Sequence, residues 1–272
     1  MSFPVAGAGS IELALQGDVA QVTICHPAKF NAMSRAMWRQ LRSVFESIQR
    51  DLSLRCVLIS GHGAHFCAGG DITEYADFRF QQASLRDFHE NDVWGGLQAM
   101  LDCDVPIVAQ IEGNCMGAGV EIVSCCDIRL AAASAKFGAP IARLGFPMAP
   151  RETALVAREL GLSVARQMLL EAATFSAADM KLAGFISRVL ADGELAAAAR
   201  ASALRIATLA PQAARLNKRT IRASFSPLAP VDPAQAAIRN VAFEGDDDYA
   251  YAASAEHREG IGAFLEKRKP AF

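Results

Sequence analysis

Two glycine-rich segments, each following an apolar run typical of a strand, constrain this chain most strongly. The first run is VLISG at residues 57–61, which leads to FCAGGDI at 66–72. The second run is PIVAQIEG at residues 106–113, which leads to CMGAGVEI at 115–122. Glycine tolerates positive φ and allows another group to approach the backbone closely. Two such loops can therefore aim unpaired N–H groups at one ligand atom, an arrangement that stabilises a developing oxyanion.

The order of predicted elements indicates an α/β fold. Gly17 and Asp18 join two strands in a predicted hairpin, and Ser34 is placed to cap a helix with an apolar stripe at 37, 41, 44, 45 and 48. Further strands are predicted over 56–60, 106–111 and 128–132, with helices over 117–126 and about 254–269. Strands that alternate with helices favour α/β over all-α or all-β architectures.

The C-terminal half predicts a different organisation. From Glu152 onward the pattern is mostly helical, and prolines at 227, 230 and 233 mark a break. We therefore divide the chain into a core over residues 1–200 and a helical C-terminal portion over 201–272.

Composition excludes several classes of protein. A hydrophobic content of 52% over 272 residues can fill a core without disulfide or metal staples. The net charge of −2 and the lack of a long basic run argue against nucleic acid or an anionic membrane as the main partner. Seven cysteines without zinc-ligand spacing favour a reducing, cytoplasmic compartment. We find no secretion signal and no apolar stretch of the roughly 20 residues that span a bilayer.

Glu121 is the strongest candidate for chemistry. It stands on the first turn of a predicted helix whose other positions are apolar. One interpretation is a solvated glutamate that favours the helix dipole. The other is a general acid/base in an apolar pocket, where desolvation raises the pKa of the carboxyl group toward working pH.

Other candidates carry weaker signals. The segment Gly69-Gly70-Asp71 is also typical of a simple turn with Asp71 as a helix cap. His62, His65 and His89 have no partner visible in the sequence, so loop or surface positions are favoured for them. Neither loop matches a nucleotide-phosphate cradle, and no serine-hydrolase elbow is present.

Taken together, the motifs resemble the crotonase superfamily, the enoyl-CoA hydratase/isomerase group. The resemblance begins at residues 26–34 (HPAKFNAMS), continues through both glycine-rich loops and 137–140 (FGAP), and ends at 259–268 (EGIGAFLEKR). It implies a spiral of ββα units with a helical C-terminal portion that builds homotrimers or dimers of trimers. It also implies an acyl-CoA thioester substrate, with coenzyme A as part of that substrate and no metal or separate cofactor.

The resemblance also implies roles for individual residues. The two backbone amides that bind the thioester oxygen fall on Ala68 and Ala118, and Glu121 matches the glutamate that activates water. The segments implied to contact the substrate or CoA contain Lys29, Ala32, Gly69, Gly70, Asp71, Ile72, Gly117, Ile141, Phe264 and Lys267. By the same analogy, Tyr75, Phe78, Phe80 and the region 79–90 line the acyl tunnel.

Departures from the family pattern affect the expected reaction. Ile141 follows Pro140, where typical hydratases carry a second glutamate. Arg143, Arg151 and Glu152 lie near a site that is ordinarily apolar, and surface solvation or a local ion pair is the simpler interpretation of these three. The leading hypothesis is hydration of a 2-enoyl-CoA, or a related proton transfer, with Glu121 as the one acid/base. The alternatives are another acyl-CoA reaction (hydrolysis, decarboxylation or C–C cleavage), with Glu152 assisting, and a weakly catalytic acyl-CoA-binding protein.

Overall fold

The protein, seen here as a computed structural model, is described over residues 9–224 and 250–272. The strands are β1 Ser10–Gln16, β2 Val19–Cys25, β3 Cys56–Gly61, β4 Ile107–Ile111, β5 Asn114–Met116, β6 Ile128–Ala132, β7 Lys136–Gly138, β8 Thr174–Ser176 and β9 Arg188–Leu190. The helices are α1 Arg35–Arg50, α2 Gln82–Asp87, α3 Trp94–Asp102, α4 Ala118–Ser124, α5 Pro150–Leu160, α6 Leu162–Leu170, α7 Ala177–Leu182, α8 Leu195–Ala207, α9 Pro211–Ser224 and α10 Ala255–Leu265. The predicted proline break at 227, 230 and 233 lies outside the described residues.

The strands form two sheets. The larger has the order β1-β2-β3-β4-β6-β9, and all its pairs are parallel except the β1–β2 hairpin. The smaller has the order β5-β7-β8. The central strands β3 and β4 are almost entirely buried, as expected of parallel strands covered on both faces. The predicted mixed α/β class is confirmed.

Helix α1 forms where the sequence predicts it. The Ser34 hydroxyl accepts a hydrogen bond from the Met37 amide at 3.2 Å and so caps the helix. The predicted apolar stripe is buried except for Val44, which is half-buried, and Trp38 joins it. The helix ends before Asp51, whose amide donates to carbonyls of the last turn.

The glycine-rich segments hold more strand than the sequence predicts. Pro106 is not part of β4, although its carbonyl accepts a hydrogen bond from Val57 at 2.8 Å. Residues Asn114–Met116 form β5, where the sequence predicts a loop.

The short strands β8 and β9 lie within the portion that was predicted to be mostly helical. Each has three residues, too few to give a period-2 pattern.

The cysteines behave as small apolar residues. All seven are free thiols, and six of them are buried, with Cys25 half-buried. Across residues 9–224 and 250–272, no cluster of His, Cys, Asp or Glu is arranged to hold a metal ion. In the same ranges, no helix has both the length and the apolar character needed to cross a membrane.

The chain divides into two compact units, Met1–Leu204 and Arg205–Phe272. The first contains both sheets and both glycine-rich loops. In the second, the Ser254 hydroxyl caps α10 by accepting from the His257 amide at 3.1 Å. Helix α10 ends at Leu265 rather than near 269, and Lys267 takes a left-handed conformation with φ of 56°.

Candidate active site

The two glycine-rich loops lie against each other. The Cys67 amide donates to the Asn114 carbonyl at 2.9 Å, and the Met116 amide donates to the Cys67 carbonyl at 2.8 Å. These two bonds form an isolated parallel bridge between Cys67 and Cys115. The loops, about fifty positions apart in sequence, therefore share one stretch of backbone pairing.

Glycine is required where the loops come closest. Gly69 has φ of 115° and Gly117 has φ of 46°, both in the region that side chains disfavour. A Cβ atom on Gly117 would lie 3.6 Å from Gly69 Cα. The Gly117 amide donates to the Gly138 carbonyl at 2.8 Å, which fixes the turn into α4.

The amide predicted to bind an oxyanion in the first loop is occupied. Ala68 N–H donates to the Phe30 carbonyl at 3.0 Å, so Ala68 is the wrong residue for this role. The neighbouring Gly69 carbonyl and Asp71 amide both bond to Met33, each at 2.8 Å. Among the described residues, the Gly70 amide between them has no acceptor. The free donor of this loop is therefore two positions beyond the predicted one.

The second loop offers the amide that the sequence predicts. Ala118 is the first residue of α4, and the first amides of a helix have no acceptor within it. In the described parts of the chain, the Ala118 amide donates to no other group. Each of the adjoining loops thus carries an unpaired N–H group, that of Gly70 in the first and that of Ala118 in the second.

Glu121 lies one turn beyond Ala118 on α4. Every other residue of this short helix is buried, whereas Glu121 keeps some exposed surface. Its carboxyl group makes no hydrogen bond to any described residue. Burial raises the pKa of Glu121 from 4.5 to about 8, and the negative charge of Glu152 acts in the same direction. This is the environment expected of a general acid/base, and the solvated interpretation does not fit it.

Glu152 is buried rather than solvated. Only 2% of its surface is exposed, and it lies in the first turn of α5. Its Oε1 is 3.0 Å from His89 Nδ1, and the ring nitrogen donates because a carboxylate can only accept. Surface solvation is therefore excluded for Glu152, which pairs instead with His89, and His89 is half-buried in a helical segment over Phe88–Val93 rather than in a loop. The sequence gives no sign of this pair, since 63 positions separate its members.

The other residues near Pro140 play lesser parts. Ile141 is half-buried in a short 3₁₀ helix over Pro140–Leu144 and brings no titratable group. Arg151 forms the predicted kind of local ion pair, 3.3 Å from Glu90. Arg143 donates to the Ala172 carbonyl at 3.3 Å.

Residues of the early segment hold the first loop in place. Lys29 Nζ lies 2.6 Å from both Asp71 Oδ2 and Thr73 Oγ1. Asp71 also caps a 3₁₀ helix over Ile72–Asp77, so the simple-turn interpretation is confirmed for this residue. Burial acts to raise the pKa of Asp71, but hydrogen bonds from Lys29 and Thr73 outweigh it and keep that pKa below its ordinary value. Lys29 and Asp71, both predicted to contact substrate or CoA, are thus paired with each other.

Two other residues from the predicted binding set lie in this region. Ala32 is buried, and its carbonyl is 2.8 Å from His26 Nδ1. Ile72 is 54% exposed. His65 has a structural role, because its Nδ1 accepts a hydrogen bond from the Asn114 amide at 3.1 Å.

An aromatic cluster adjoins the free Gly70 amide. A Cβ atom on Gly70 would overlap the Tyr75 hydroxyl. That hydroxyl makes no hydrogen bond to a described residue. Burial raises the pKa of Tyr75 to about 12, the nearby Arg79 charge opposes this rise, and the Glu121 charge adds to it. Tyr75 is therefore close to both the loop and the candidate acid/base.

The rest of this cluster surrounds the Tyr75 ring. Phe78 is buried and Phe146 half-buried, with ring centres 5.8 and 5.9 Å from that of Tyr75. Arg79 lies over the rings of both Tyr75 and Phe146. Phe80, predicted to line the same tunnel, is 82% exposed.

The two C-terminal candidates belong to the second unit. Phe264 on α10 is 80% exposed. Lys267 lies just beyond the end of α10. Their predicted contact with the nucleotide end of CoA stays a prediction.

Comparison of the sequence with a family profile and with known relatives identifies the same family in each case. The profile of the enoyl-CoA hydratase/isomerase family matches residues 14–272. A probable enoyl-CoA hydratase of Mycobacterium tuberculosis is 30% identical over 254 residues, which cover 93% of this chain and 94% of the relative. The 2,3-dehydroadipyl-CoA hydratase of Escherichia coli is 31% identical over 257 residues, covering 94% and 96%.

Solved structures agree with this result. The crystal structure of an enoyl-CoA hydratase/carnithine racemase from Magnetospirillum magneticum superposes with a TM-score of 0.86 at 34% identity. The match covers 96% of this chain and 94% of that one. An enoyl-CoA hydratase subunit from Geobacillus kaustophilus gives a TM-score of 0.82 at 28% identity, with 96% and 97% covered.

Proposed function

Since the chain belongs to the enoyl-CoA hydratase/isomerase family, we propose that it hydrates 2-enoyl-CoA thioesters through an enolate intermediate. The observation that carries this proposal is the local arrangement of α4. Unpaired amides of Gly70 and Ala118 lie on adjoining loops, and Glu121, with a raised pKa, follows one turn later. Oxyanion donors beside one partner-free carboxyl group are the parts that enolate chemistry needs.

The two amides bind the thioester oxygen. Withdrawal of electrons through that oxygen makes C3 of the enoyl chain electrophilic. As water adds its oxygen to C3, the π electrons of the C2–C3 bond move to the thioester, and negative charge gathers on the oxygen held by Gly70 and Ala118. Fixed donors are effective here because they need no reorganisation when the charge develops.

Glu121 moves the proton. Its ionised form accepts a proton from the attacking water, and the resulting acid delivers this proton to C2. Hydrogen and hydroxide are thus added across the double bond, and the carboxylate is regenerated. One carboxyl group suffices for this sequence, which fits a chain that has Ile141 at the position after Pro140.

Glu152 acts through Glu121 in this proposal. It is buried, it is held by His89, and its charge makes Glu121 harder to ionise. We assign Glu152 as a positioning residue that adds to the effect of burial on the pKa of the acid/base, not as a group that touches the substrate.

The direct test is turnover of a series of 2-enoyl-CoA esters by native protein and by Glu121→Gln. Loss of general acid/base catalysis is expected to lower kcat by roughly 10²–10⁴-fold while acyl-CoA binding is kept. Glu46→Gln is the matched control, since the Glu46 side chain on α1 is 43% exposed and, among the described residues, pairs with Arg42 alone. Equal turnover by native protein and Glu121→Gln would remove Glu121 from the mechanism.

Product analysis separates hydration from the other reactions of this family. Mass spectrometry should show a product heavier than the 2-enoyl-CoA substrate by the mass of one water, with the thioester intact. Free CoA or a shortened acyl chain would instead support hydrolysis or C–C cleavage. Tight binding without turnover of any ester would support a binding protein.

We also propose self-association through the second unit. Helix α10 exposes three large apolar side chains close together in sequence, Ile261, Phe264 and Leu265, and exposed apolar groups of this kind are typical of an interaction surface. Light scattering of the full chain should give the mass of a trimer or of a dimer of trimers. A monomer at micromolar concentration would contradict this proposal.

A further inference from the structure

Arg79 is a charged residue that the proposed chemistry does not use. Its guanidinium Cζ lies 4.4 Å from the ring centre of Tyr75 and 3.9 Å from that of Phe146. The side chain is half-buried, and burial lowers the pKa of Arg79 from its ordinary value. Within the described ranges, its guanidinium forms no ion pair and no hydrogen bond.

Among the described residues, the other arginines that are buried or stacked on a ring are paired. Arg129 also stacks on an aromatic ring, that of Phe185 at 4.5 Å, but it is 2.5 Å from a carboxylate oxygen of Glu159. Arg35, over Phe78, is 2.6 Å from Asp92. Arg79 has the aromatic contacts of these residues without the carboxylate.

A guanidinium in this state can bind an anion. Its five N–H donors lie in the plane of the group, so aromatic rings over its faces leave the edges free. Every fully buried side-chain nitrogen and oxygen of the described residues has a hydrogen-bond partner. The unpaired donors of Arg79 therefore face open space. Carboxylates match such an edge with two parallel hydrogen bonds.

The position of Arg79 identifies the part of the substrate it can reach. The Tyr75 hydroxyl lies beside Gly70, whose amide binds the thioester oxygen in the proposed mechanism, while the Tyr75 ring carries Arg79 on its face. One tyrosine side chain thus separates the reacting thioester from the guanidinium. The phosphates of CoA are farther from the sulfur than this, because the whole pantetheine arm lies between them.

We propose that Arg79 binds a carboxylate at the far end of the acyl group, so that the substrates are short 2-enoyl-CoA thioesters with a terminal carboxylate. This inference rests on the proposed function, because it takes Gly70 as the position of the thioester. Phe146 and Tyr75 orient the guanidinium and shield its faces from water, which strengthens its attraction for an anion.

The test compares two 2-enoyl-CoA esters of equal chain length, one ending in a carboxylate and one in its methyl ester. Native protein should show the higher kcat/KM with the carboxylate. Arg79→Gln should lower kcat/KM for the carboxylate by about 10–100-fold, the loss typical of a hydrogen-bonded charge, and leave the methyl ester unchanged. The kcat/KM of Arg79→Lys with the carboxylate should fall between those of native protein and Arg79→Gln. Arg188→Gln, exposed on the sheet-edge strand β9, should match native protein.

An equal loss with both esters would overturn the proposal, since it would assign Arg79 to the CoA phosphates or to folding. No loss with either ester would overturn it as well. Calorimetry with the saturated carboxyl and methyl-ester acyl-CoAs separates this test from the proposed function, because binding needs no turnover. Native protein that hydrates neither ester would contradict the proposed function. If this protein still binds the carboxylate more tightly than the methyl ester, and Arg79→Gln does not, the carboxylate site at Arg79 is supported. If native protein binds the carboxyl and methyl-ester acyl-CoAs equally, the carboxylate site at Arg79 is contradicted.

Discussion

Two groups of polar side chains surround the first glycine-rich loop, and they differ in how their charges are satisfied. The anchored group consists of Lys29, Asp71 and Thr73, whose polar atoms bond to one another at 2.6–3.1 Å. The open group consists of Glu121, Tyr75 and Arg79. Among the described residues, the polar ends of its side chains make no hydrogen bond to protein.

This difference indicates two roles: the anchored group stabilises the loop, and the open group is available to bind a ligand beside it. Unpaired polar groups in a folded interior are costly, so most proteins pair them. The anchored group follows that rule and fixes the backbone between Ala68 and Asp71. The polar atoms of the open group are instead not fully buried and lie close to two free amides, which is expected where a ligand supplies the missing partners.

The largest expected effect concerns the open group and pH. The raised pKa of Glu121 means that the folded state binds a proton more tightly than the unfolded state does. Its contribution to stability is fully present below the unfolded pKa of 4.5 and is lost as pH rises through about 8. Glu121→Gln cannot ionise, so it should exceed native protein in free energy of unfolding by about 2–5 kcal/mol at pH 9.

Denaturant titrations of both proteins at pH 5 and pH 9 would check this. The stability difference at pH 5 should be smaller than at pH 9. A stability difference that does not change with pH would show that the pKa of Glu121 is the same in the folded and unfolded states, which would contradict this prediction.

A second prediction tests how closely Tyr75 lies against Gly70. Gly70→Ala places a methyl group where the Tyr75 hydroxyl stands, so either that side chain or the loop must move. Because loss of one oxyanion donor costs about 10²–10³-fold in kcat, displacement of this amide should lower kcat by about 10²-fold.

The double variant Gly70→Ala/Tyr75→Phe supplies the control. Removal of the hydroxyl relieves most of the overlap, so the double variant should recover part of the kcat that Gly70→Ala loses. Additive losses in the two single variants would indicate that Tyr75 and Gly70 are independent.

Part of this site could be predicted from the sequence, because the features that define Glu121, Asp71 and Ala118 are local. Glu121 is the one charged residue in an apolar helix that follows a glycine turn, so its burial is visible from its neighbours. The cap by Asp71 likewise depends on residues only two positions away. Ala118 has a free amide simply because it begins a helix.

The errors arise where a contact spans the chain. The choice between Ala68 and Gly70 depends on the Phe30 carbonyl, which the fold brings to the Ala68 amide. The burial of Glu152 depends on His89, which comes from a different helical segment. No local pattern in the sequence indicates either contact. Hydrophobic periodicity predicts where the helices lie, but it does not predict which distant residue each side chain or amide contacts.

A third prediction concerns removal of the ion pair in the anchored group. Lys29→Met leaves the carboxylate of Asp71, only 4% exposed, without its cation. The free energy of unfolding should fall by about 1–3 kcal/mol at pH 7, as expected of a buried group that loses its partner. Asp71 has a lowered pKa, so the stability it contributes is present above its unfolded pKa of 3.8 and is lost as pH falls through the folded pKa.

The deficit of Lys29→Met should therefore shrink in acid. Thermal melts at pH 7 and pH 3 measure it directly. The double variant Lys29→Met/Asp71→Asn, which removes both charges, should be more stable than the single variant. If Lys29→Met equals native protein at pH 7, the ion pair does not anchor the loop.

The smallest expected effect concerns Glu152. Removal of its negative charge in Glu152→Gln should lower the pKa of Glu121, because a nearby like charge disfavours ionisation. The rise of kcat/KM with pH, which native protein should show through about pH 8, then moves to lower pH, though only in part, because burial is the larger cause of the raised pKa. A Glu152→Gln protein with reduced kcat/KM but an unmoved pH profile would indicate a purely structural role.

The central claim is that the Gly70 and Ala118 amides together hold the thioester oxygen of the substrate. A crystal structure of Glu121→Gln with a bound 2-enoyl-CoA measures this most directly. We predict the thioester oxygen within about 2.7–3.1 Å of both amide nitrogens, with the Ala68 amide still bonded to Phe30. A thioester oxygen that reaches only one of the two amides, or neither, would contradict the account.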